Sequence, residues 1–492
     1  MISIERINHV HLRIYTDDGI AQELSQFFTF EVPGARFTPA YRAKIWDGKI
    51  RMFDLHRKTL YVGLLKYVQD FAERNGYEIK YLNDVTTDTS VSVSDVREYA
   101  TWLNLHGRGQ PIEIRDYQLD AIHKALSLDR VLLLSPTASG KSLIIYTAMR
   151  HHVEEGRKCI LIVPTTSLVE QMYADFEDYS SDNGWKVSRH CQKLYSGFSK
   201  DFDSDVLITT WQSIYKQPKE WFNQFDVIFG DEAHQFKAKS LSTVMEKMTD
   251  VRYRIGTTGT IDNKKVHTLV LEGIFGPVYK VITTKQLMEQ GSVANLKIKC
   301  LLLKYDEVTR KMMNKCQYQN EMDFIVTHEK RNKFIRNLAL SCTGNTLILF
   351  QYVEKHGAVL HELIKAKAGN RRVFYIHGGT DVEAREEARH ITEKENDAII
   401  LASFGVFSTG INIPSIENVI FASPSKSKIR NLQSIGRGLR LKEGKTHCNL
   451  FDIADDLHWK SWKNHTLNHL AERVKTYAEE KFNFKIIEVD LE

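Results

Sequence analysis

The sequence is short of the residues that mark specialised classes of protein. Its six cysteines, Cys159, Cys191, Cys300, Cys316, Cys342 and Cys448, are scattered through 492 residues with no CxxC pair and no histidines at metal-ligand spacing. That excludes a disulfide framework or zinc ribbon and reads as reduced thiols filling core positions in a cytoplasm-like compartment. Nine prolines and 27 glycines exclude collagen-like and mucin-like chains. No apolar run reaches the roughly 20 residues needed to span a bilayer. The start, MISIERINHVHLRIY, has no basic stretch followed by an apolar one, so no signal peptide and no membrane partner are expected. Charge of one sign is also lacking: 67 Lys+Arg against 62 Asp+Glu leave +5, so any footprint for a polyanion must be local.

What is present is a core-forming composition, 42% hydrophobic, long enough for several domains. Short apolar runs alternate with helical patterns from about 119 to 271 and again from 346 to 451, the rhythm of βαβ units around parallel sheets. Buried strands are expected at 131–134, 160–163, 206–209 and 227–229, then at 346–350, 373–376, 398–402, 418–422 and 448–451. A polar, helix-leaning stretch from Ile282 to about Lys333 is read as containing the crossing linker, and Asp84 to Ser94 as a second linker. Leu467, Leu470, Ala471, Val474, Tyr477 and Ala478 recur at helical spacing and predict an amphipathic helix. The expected domains are an accessory nucleic-acid-binding segment (1–90), a nucleotide-binding α/β domain (91–290) and a second α/β domain carrying the final helix (291–492).

Strand 131–134 runs into Ser135-Pro-Thr-Ala-Ser-Gly-Lys-Ser142 and then a helical pattern. This is the strand, loop, helix context in which backbone amides of Pro136's successors Thr137, Ala138, Ser139 and Gly140 can cradle phosphates. Lys141 can reach the β and γ phosphates of ATP, and Ser142 can ligate Mg²⁺. Asp231-Glu-Ala-His234 follows strand 227–229, 90 residues beyond Lys141. One carboxylate, Asp231, is assigned to the metal and the other, Glu232, to polarising the attacking water. A plain acidic helix cap is the bland alternative. Arg115-Asp-Tyr-Gln118 precedes a helical stretch, and Gln118 can read both donor and acceptor on an adenine edge. In Gln433-Ser-Ile-Gly-Arg-Gly-Leu-Arg440, Arg437 and Arg440 lie three apart on one helical face, fork-shaped cations suited to a γ-phosphate.

These motifs, with Val163-Pro-Thr-Thr166, Thr209-Thr-Trp-Gln212, Thr258-Gly-Thr260 and Ser408-Thr-Gly-Ile-Asn412, stand in the order of the superfamily 2 helicase motifs. The chain resembles that superfamily over about residues 110–455, and within it the recombination helicases of T-even-type bacteriophages. The resemblance implies an α/β fold of two tandem RecA-like domains with parallel sheets, plus a small α+β N-terminal domain. It implies ATP and Mg²⁺ bound by Arg115, Gln118, Pro136 to Ser142 and Asp231, with Gln433, Arg437 and Arg440 joining Lys141, Asp231 and Glu232 in catalysis. It implies sugar-phosphate contacts from Thr165, Thr166, Thr209, Thr210, Gln212, Thr409 and Gly410, and coupling of hydrolysis to movement through His234, Thr258 and Thr260. Thr258-Gly-Thr260 departs from the commoner Ser-Ala-Thr, and Ser135 replaces the usual small first residue of the loop. Both are exchanges among small residues. The expected partner is branched or single-stranded DNA, with RNA–DNA hybrids a further candidate, acted on by a monomer in the cytoplasm of a host cell. An RNA helicase and a nucleotide-switched annealing protein stay open as alternatives.

Residues 1–90 hold twelve basic and twelve acidic side chains, yet residues 36–58 hold seven basic against two acidic. There Arg36, Arg42, Lys44, Trp46, Lys49 and Arg51 interleave with Phe37 and Tyr41, and Asp47-Gly48 signals a hairpin turn. Such a basic hairpin can grip phosphates while its rings stack on bases or wedge at a fork. A small twisted hairpin with solvated cations is the alternative.

Overall fold

The structure, a computed structural model of the chain, describes residues 1–32, 34–85, 91–195, 201–261, 265–409, 416–425, 427, 434–436, 439 and 446–491. The N-terminal strands are β1 (Ile2–Arg6), β2 (His11–Tyr15), β3 (Thr29–Glu31), β4 (Lys49–Arg51), β5 (Thr59–Tyr61) and β6 (Ile79–Tyr81). Four of them form a mixed sheet in the order β5-β2-β1-β6, with β1 antiparallel to β2 and parallel to β6. Helices Asp18–Phe27 and Leu65–Asn75 contribute Leu24 and Val68 to its core beside Ile4 and Ile14. β3 and β4 pair separately, antiparallel.

After the short pair β7 (His106–Gly107) and β8 (Gln110–Pro111) come β9 (Arg130–Leu134), β10 (Cys159–Val163), β11 (Cys191–Leu194), β12 (Val206–Thr210), β13 (Val227–Gly230), β14 (Tyr253–Thr258) and β15 (Val278–Lys280). They make an all-parallel sheet in the order β11-β12-β10-β13-β14-β9-β15. The central strands are buried from end to end, as strands covered by helices on both faces must be. A second all-parallel sheet uses β16 (Asn295–Lys304), β17 (Thr346–Phe350), β18 (Val373–Ile376), β19 (Ile399–Ser403), β20 (Asn418–Phe421), β21 (His447–Asp456) and β22 (Phe484–Asp490). Its order, β18-β19-β17-β20-β21-β16-β22, repeats that of the first sheet strand for strand. The expected fold class is therefore the observed one.

Three expectations differ in detail. The stretch read as a crossing linker holds β16, a ten-residue strand paired with both β21 and β22. Its first half alternates exposed and buried positions, so it offered no continuous apolar run to recognise. In the Asp84 to Ser94 stretch read as a linker, Val85 is buried and a helix starts at Val93 under a Ser92/Asp95 capping box. Residues 86–90 lie outside the described set. The Asp47-Gly48 turn does not join two strands of the basic window: Gly48 has φ +77° and leads directly into β4, while a 3-10 turn (Ala35–Phe37) and a short helix (Pro39–Arg42) occupy the segment between β3 and β4.

The chain divides into two compact units, one of residues 1–135 and 140–281, the other of 136–139 and 282–492. Within the first, the N-terminal sheet is packed against the first seven-stranded sheet and its helix Lys265–Phe275. A Cβ at Gly63 would lie 1.9 Å from the Glu272 carbonyl oxygen, so only glycine permits the approach of this turn to helix Lys265–Phe275. Leu269 of that helix is part of the N-terminal core, Tyr67 donates to Glu272 at 2.6 Å, and Arg130 donates to the His9 carbonyl at 3.0 Å. Each large apolar side chain buried here stabilises the docking by about 1.5–3 kcal/mol.

Candidate functional site

Three neighbouring strand ends build the site. β9, β14 and β13 lie side by side, and at their carboxyl ends stand Ser135, Thr257 to Thr260, and Asp231. Ser135 N donates to the Thr258 carbonyl at 2.8 Å, which fixes the mouth of the loop to β14. Gly140 has φ +84°, a left-handed conformation that favours glycine, and a Cβ there would displace the Gln118 amide 2.3 Å away. Helix Lys141–Glu154 starts immediately after it, presenting the first-turn amides that bind anions. Lys141 Nζ donates to the Ser135 carbonyl at 3.2 Å, and Ser142 Oγ lies 2.8 Å from Tyr179 Oη. Gln118 is buried, and its Oε1 accepts from Arg115 N at 3.0 Å. Arg115 itself is exposed and donates to Tyr117 Oη.

Asp231 is buried and accepts from Thr257 Oγ1 at 2.8 Å. Burial, then the neighbouring Glu232, push its carboxyl above the ordinary value, while Lys141 pulls the other way. Lys141 and Asp231 are thus within electrostatic reach of each other. Glu232 sits at φ +49°, a sparsely populated conformation that costs of order 1–3 kcal/mol. It stands at the N-cap of the 3-10 turn Ala233–Lys237 without making a side-chain cap bond, so the acidic-cap alternative does not describe it. Its Oε2 is 3.2 Å from His234 Nδ1, which is also 3.1 Å from Thr258 Oγ1. Thr258 Oγ1 in turn donates to the Thr260 carbonyl at 3.0 Å. Hydrogen bonds therefore join the acidic pair to the end of β14 twice, through Thr257 and through His234.

The residues present suit a nucleotide with a hard divalent cation. Mg²⁺ is held by one or two carboxylates plus substrate phosphates, not by an all-protein cage. Accordingly, no group of three or more His, Cys, Asp or Glu side chains placed to hold a metal occurs among the described residues. A buried acid short of positive charge beside an anion-binding helix start is the complementary pair of features.

Sequence reasoning missed Thr257 and Tyr179. The first adjoins a noted motif, but nothing in the sequence announced that its hydroxyl would reach Asp231. Tyr179 ends a helix 37 residues beyond Ser142, and no local signal connects them.

Other expected residues are dispersed. Thr165 caps helix Thr166–Tyr179, accepting from Leu168 N, while Thr166 and Gln212 are exposed. Thr210 Oγ1 is 2.9 Å from Ser213 Oγ. Thr209 is 0% exposed, and its hydroxyl donates to the Leu194 carbonyl at 2.8 Å, which leaves it a strand-end support and not a free hydroxyl. Thr409 ends helix Phe404–Thr409. Gly410, Gln433, Arg437 and Arg440 lie outside the described residues. In the N-terminal window Arg36, Arg42, Lys44, Lys49 and Arg51 are exposed; Arg36 lies over the Phe37 ring, Trp46 Nε1 donates to the Lys49 carbonyl, and Arg51 pairs with Asp47 at 2.5 Å. The surrounding tip bares Phe37 (64% exposed) and Ile45 (82%).

Known proteins resolve the kinship. Over 98% of this chain and 98% of its own length, the ATP-dependent DNA helicase uvsW of Enterobacteria phage T4 is 36% identical. The chain belongs to the UvsW helicase family. The family model "DNA helicase UvsW, N-terminal" matches residues 2–82, "Type III restriction enzyme, res subunit" 111–263, and "Helicase conserved C-terminal domain" 329–442. A crystal structure of T4 UvsW shares 33% identity at a TM-score of 0.53, covering 100% of each chain. The DNA 3'-5' translocase XPB2 of Sulfurisphaera tokodaii is 23% identical, over 68% of this chain and 80% of its own. As a UvsW-family member the chain is an ATP-dependent helicase. Among its described residues no helix is long and apolar enough to cross a membrane.

Proposed function

We propose that this helicase is a DNA translocase that unwinds and remodels branched DNA: junction branch migration, fork and R-loop processing in recombination, repair and replication. The observation that carries the reading is the double hydrogen-bonded link from Asp231 and His234 to Thr257 and Thr258, because it ties the acidic pair to the strand end that also anchors the phosphate loop. Bound ATP·Mg²⁺ supplies a phosphoanhydride whose hydrolysis drives the motor. Lys141 and the Thr137 to Gly140 amides hold its phosphates, Ser142 and Asp231 hold Mg²⁺, and Glu232 orients the attacking water. Gln118 and Arg115 select the base. Gln433, Arg437 and Arg440 are assigned to the γ-phosphate. His234, Thr258 and Thr260 carry the change at the acidic pair to β14.

Thr165, Thr166, Thr210, Gln212, Thr409 and Gly410 hold the strand backbone, with Thr209 bracing its strand from within. Residues 1–90 form the accessory domain, and Arg36, Arg42, Lys44, Trp46, Lys49 and Arg51 engage duplex or junction phosphates around the exposed tip. Domains 91–290 and 291–492 are the two motor halves of a monomer working in a host cytoplasm. The name of the Sulfurisphaera relative supports 3′ to 5′ movement. An ATPase and unwinding panel on forked DNA, a four-way junction, an R-loop and duplex RNA, at several salt concentrations, tests the reading. Preference for the branched DNAs is expected; stimulation by duplex RNA alone overturns it.

A further inference from the structure

The second sheet carries a pocket of its own, lined within one compact unit. β17 and β20 are neighbours; from β17 the chain turns to β18 and β19 on one side, and from β20 to β21 on the other. Their carboxyl ends thus flank the switch point at which open α/β sheets bind ligands. A cavity of about 380 Å³ opens there, within the range of small-molecule sites. Gln351, Pro424 and Ser425 line it from the ends of β17 and β20, and Tyr318, His465 and His469 line it from two helices. Those last three lie outside the 329–442 match to the conserved helicase C-terminal domain, so the pocket extends beyond that match.

The ring cluster is held rigidly. Tyr318 packs against His465 (centroids 5.9 Å apart, 85°) and His469 (5.5 Å, 54°) and stays 37% exposed. Glu321, one turn beyond Tyr318 and fully buried, accepts from His465 N at 2.8 Å, from Thr466 N and Oγ1 at 2.7 Å each, and from Asn464 Nδ2 at 2.8 Å. One carboxylate thereby locks the start of helix His465–Glu479 to helix Tyr318–Thr327. His465 Nε2 also lies 3.2 Å from the Cys316 carbonyl. A fixed aromatic platform beside a Gln amide, which offers both donor and acceptor, matches an unstacked nucleobase: a planar π-face with a polar edge.

We propose that this pocket takes one base of a single DNA strand, stacked on the Tyr318 ring, with the inclined His469 ring packed against its border and its edge toward Gln351 and Ser425. The proposal rests on the reading of the chain as a DNA motor and adds a contact to bases where that reading names contacts to backbone. Stacking involves no phosphate charge, so it predicts a loss of affinity without a change in salt slope.

The test is anisotropy of labelled oligothymidylate with the full-length protein, without nucleotide, for wild type, Tyr318→Ala, His469→Ala and Tyr318→Phe. An equally long abasic oligomer serves as control, and photo-crosslinking to 5-iodouracil maps the contact. Expected are roughly 5- to 100-fold weaker oligothymidylate binding in each Ala variant, near-normal binding in Tyr318→Phe, an unchanged salt slope, no further loss on abasic DNA and a crosslink at Tyr318 or His469. Wild-type affinity in both Ala variants, an equal loss on abasic DNA, or crosslinks confined to other residues overturns the proposal. Crosslinking uses wild-type protein, so an unfolded variant leaves the test intact. Failure here leaves the motor reading standing, whose own failure is read from the substrate panel.

Discussion

The two seven-stranded sheets share one strand order and differ in what stands at equivalent strand ends. After β9 comes an anion-binding loop; its counterpart β16 ends on Lys304 and runs into Tyr305, both already engaged by the protein. Lys304 pairs with Asp456 at 2.7 Å and Glu488 at 3.3 Å, and Tyr305 donates to Asp455 at 2.8 Å. Asp455 is fully buried against Arg331, Oδ1 to Nε 2.7 Å. The acids of the second sheet are neutralised from within. On the first sheet Asp231 is raised by burial and by Glu232, with Lys141 alone among its named influences supplying opposing charge. Asp456 shows the opposite balance: burial raises its carboxyl, but hydrogen bonds from Lys304 and His458 outweigh burial and hold it below the ordinary value. One topology thus yields a self-satisfied scaffold in the second sheet and, at the edge of the first, a buried acid held above its ordinary value.

The contrast breaks most sharply under substitution of the acids. Asp455→Ala would strand the buried Arg331 charge and cost about 3–5 kcal/mol of stability, read from denaturant unfolding. Asp231→Asn should leave stability equal or higher while abolishing turnover, as expected where function holds a group in a strained state. Next in size, Lys141→Ala should lower ATP hydrolysis by roughly 10²- to 10³-fold with the fold intact, measured as DNA-stimulated phosphate release. Thr257→Val removes the hydrogen bond that orients Asp231 and should weaken the Mg²⁺ dependence of hydrolysis roughly 10- to 100-fold.

The smallest effect is one of pH. In the fold Asp231 keeps its proton above 3.8, where the unfolded chain has lost it, so wild type should lose stability relative to Asp231→Asn as pH rises through the raised range. Asp456 acts in reverse: its contribution is complete at neutral pH and is lost as pH falls through its lowered value, a loss that Lys304→Ala should diminish, leaving the part due to His458. Melting temperatures of the variants across pH 3 to 8 (roughly the range of maximal stability and its acid edge) separate the two signs.

How much of this was legible in the sequence depended on locality. Central strands such as β10 and β17 are unbroken apolar runs and stood out, whereas β16 and β22 carry lysines and acids on solvated positions and did not. The last helix was readable, but its buried face runs through Leu470, Arg473 and Tyr477, with Ala471 and Ala478 exposed. Arg473 looked polar, yet it is buried against Asp452 at 2.8 Å. The phosphate loop and the acidic pair are contiguous in sequence and were found as strings. Thr257 to Asp231 and Tyr179 to Ser142 are meetings between separate elements, fixed only by strand order and helix packing. The N-terminal domain was legible as a charge pattern, but its close docking through Gly63 was not, since the partner surface lies more than 200 residues away. Removing residues 1–90 would bare Leu269, so the DNA contacts proposed for this domain are better probed by Arg42→Ala and Lys44→Ala.

The central claim is that the nucleotide is held through the loop after β9 and not at the equivalent end of β16. Calorimetric titration of full-length protein with Mg²⁺ and a slowly hydrolysed ATP analogue measures it directly, in wild type, Lys141→Ala and Lys304→Ala. The account predicts one nucleotide per chain, lost in Lys141→Ala and retained in Lys304→Ala. A second nucleotide per chain, or binding that survives Lys141→Ala but not Lys304→Ala, would contradict it.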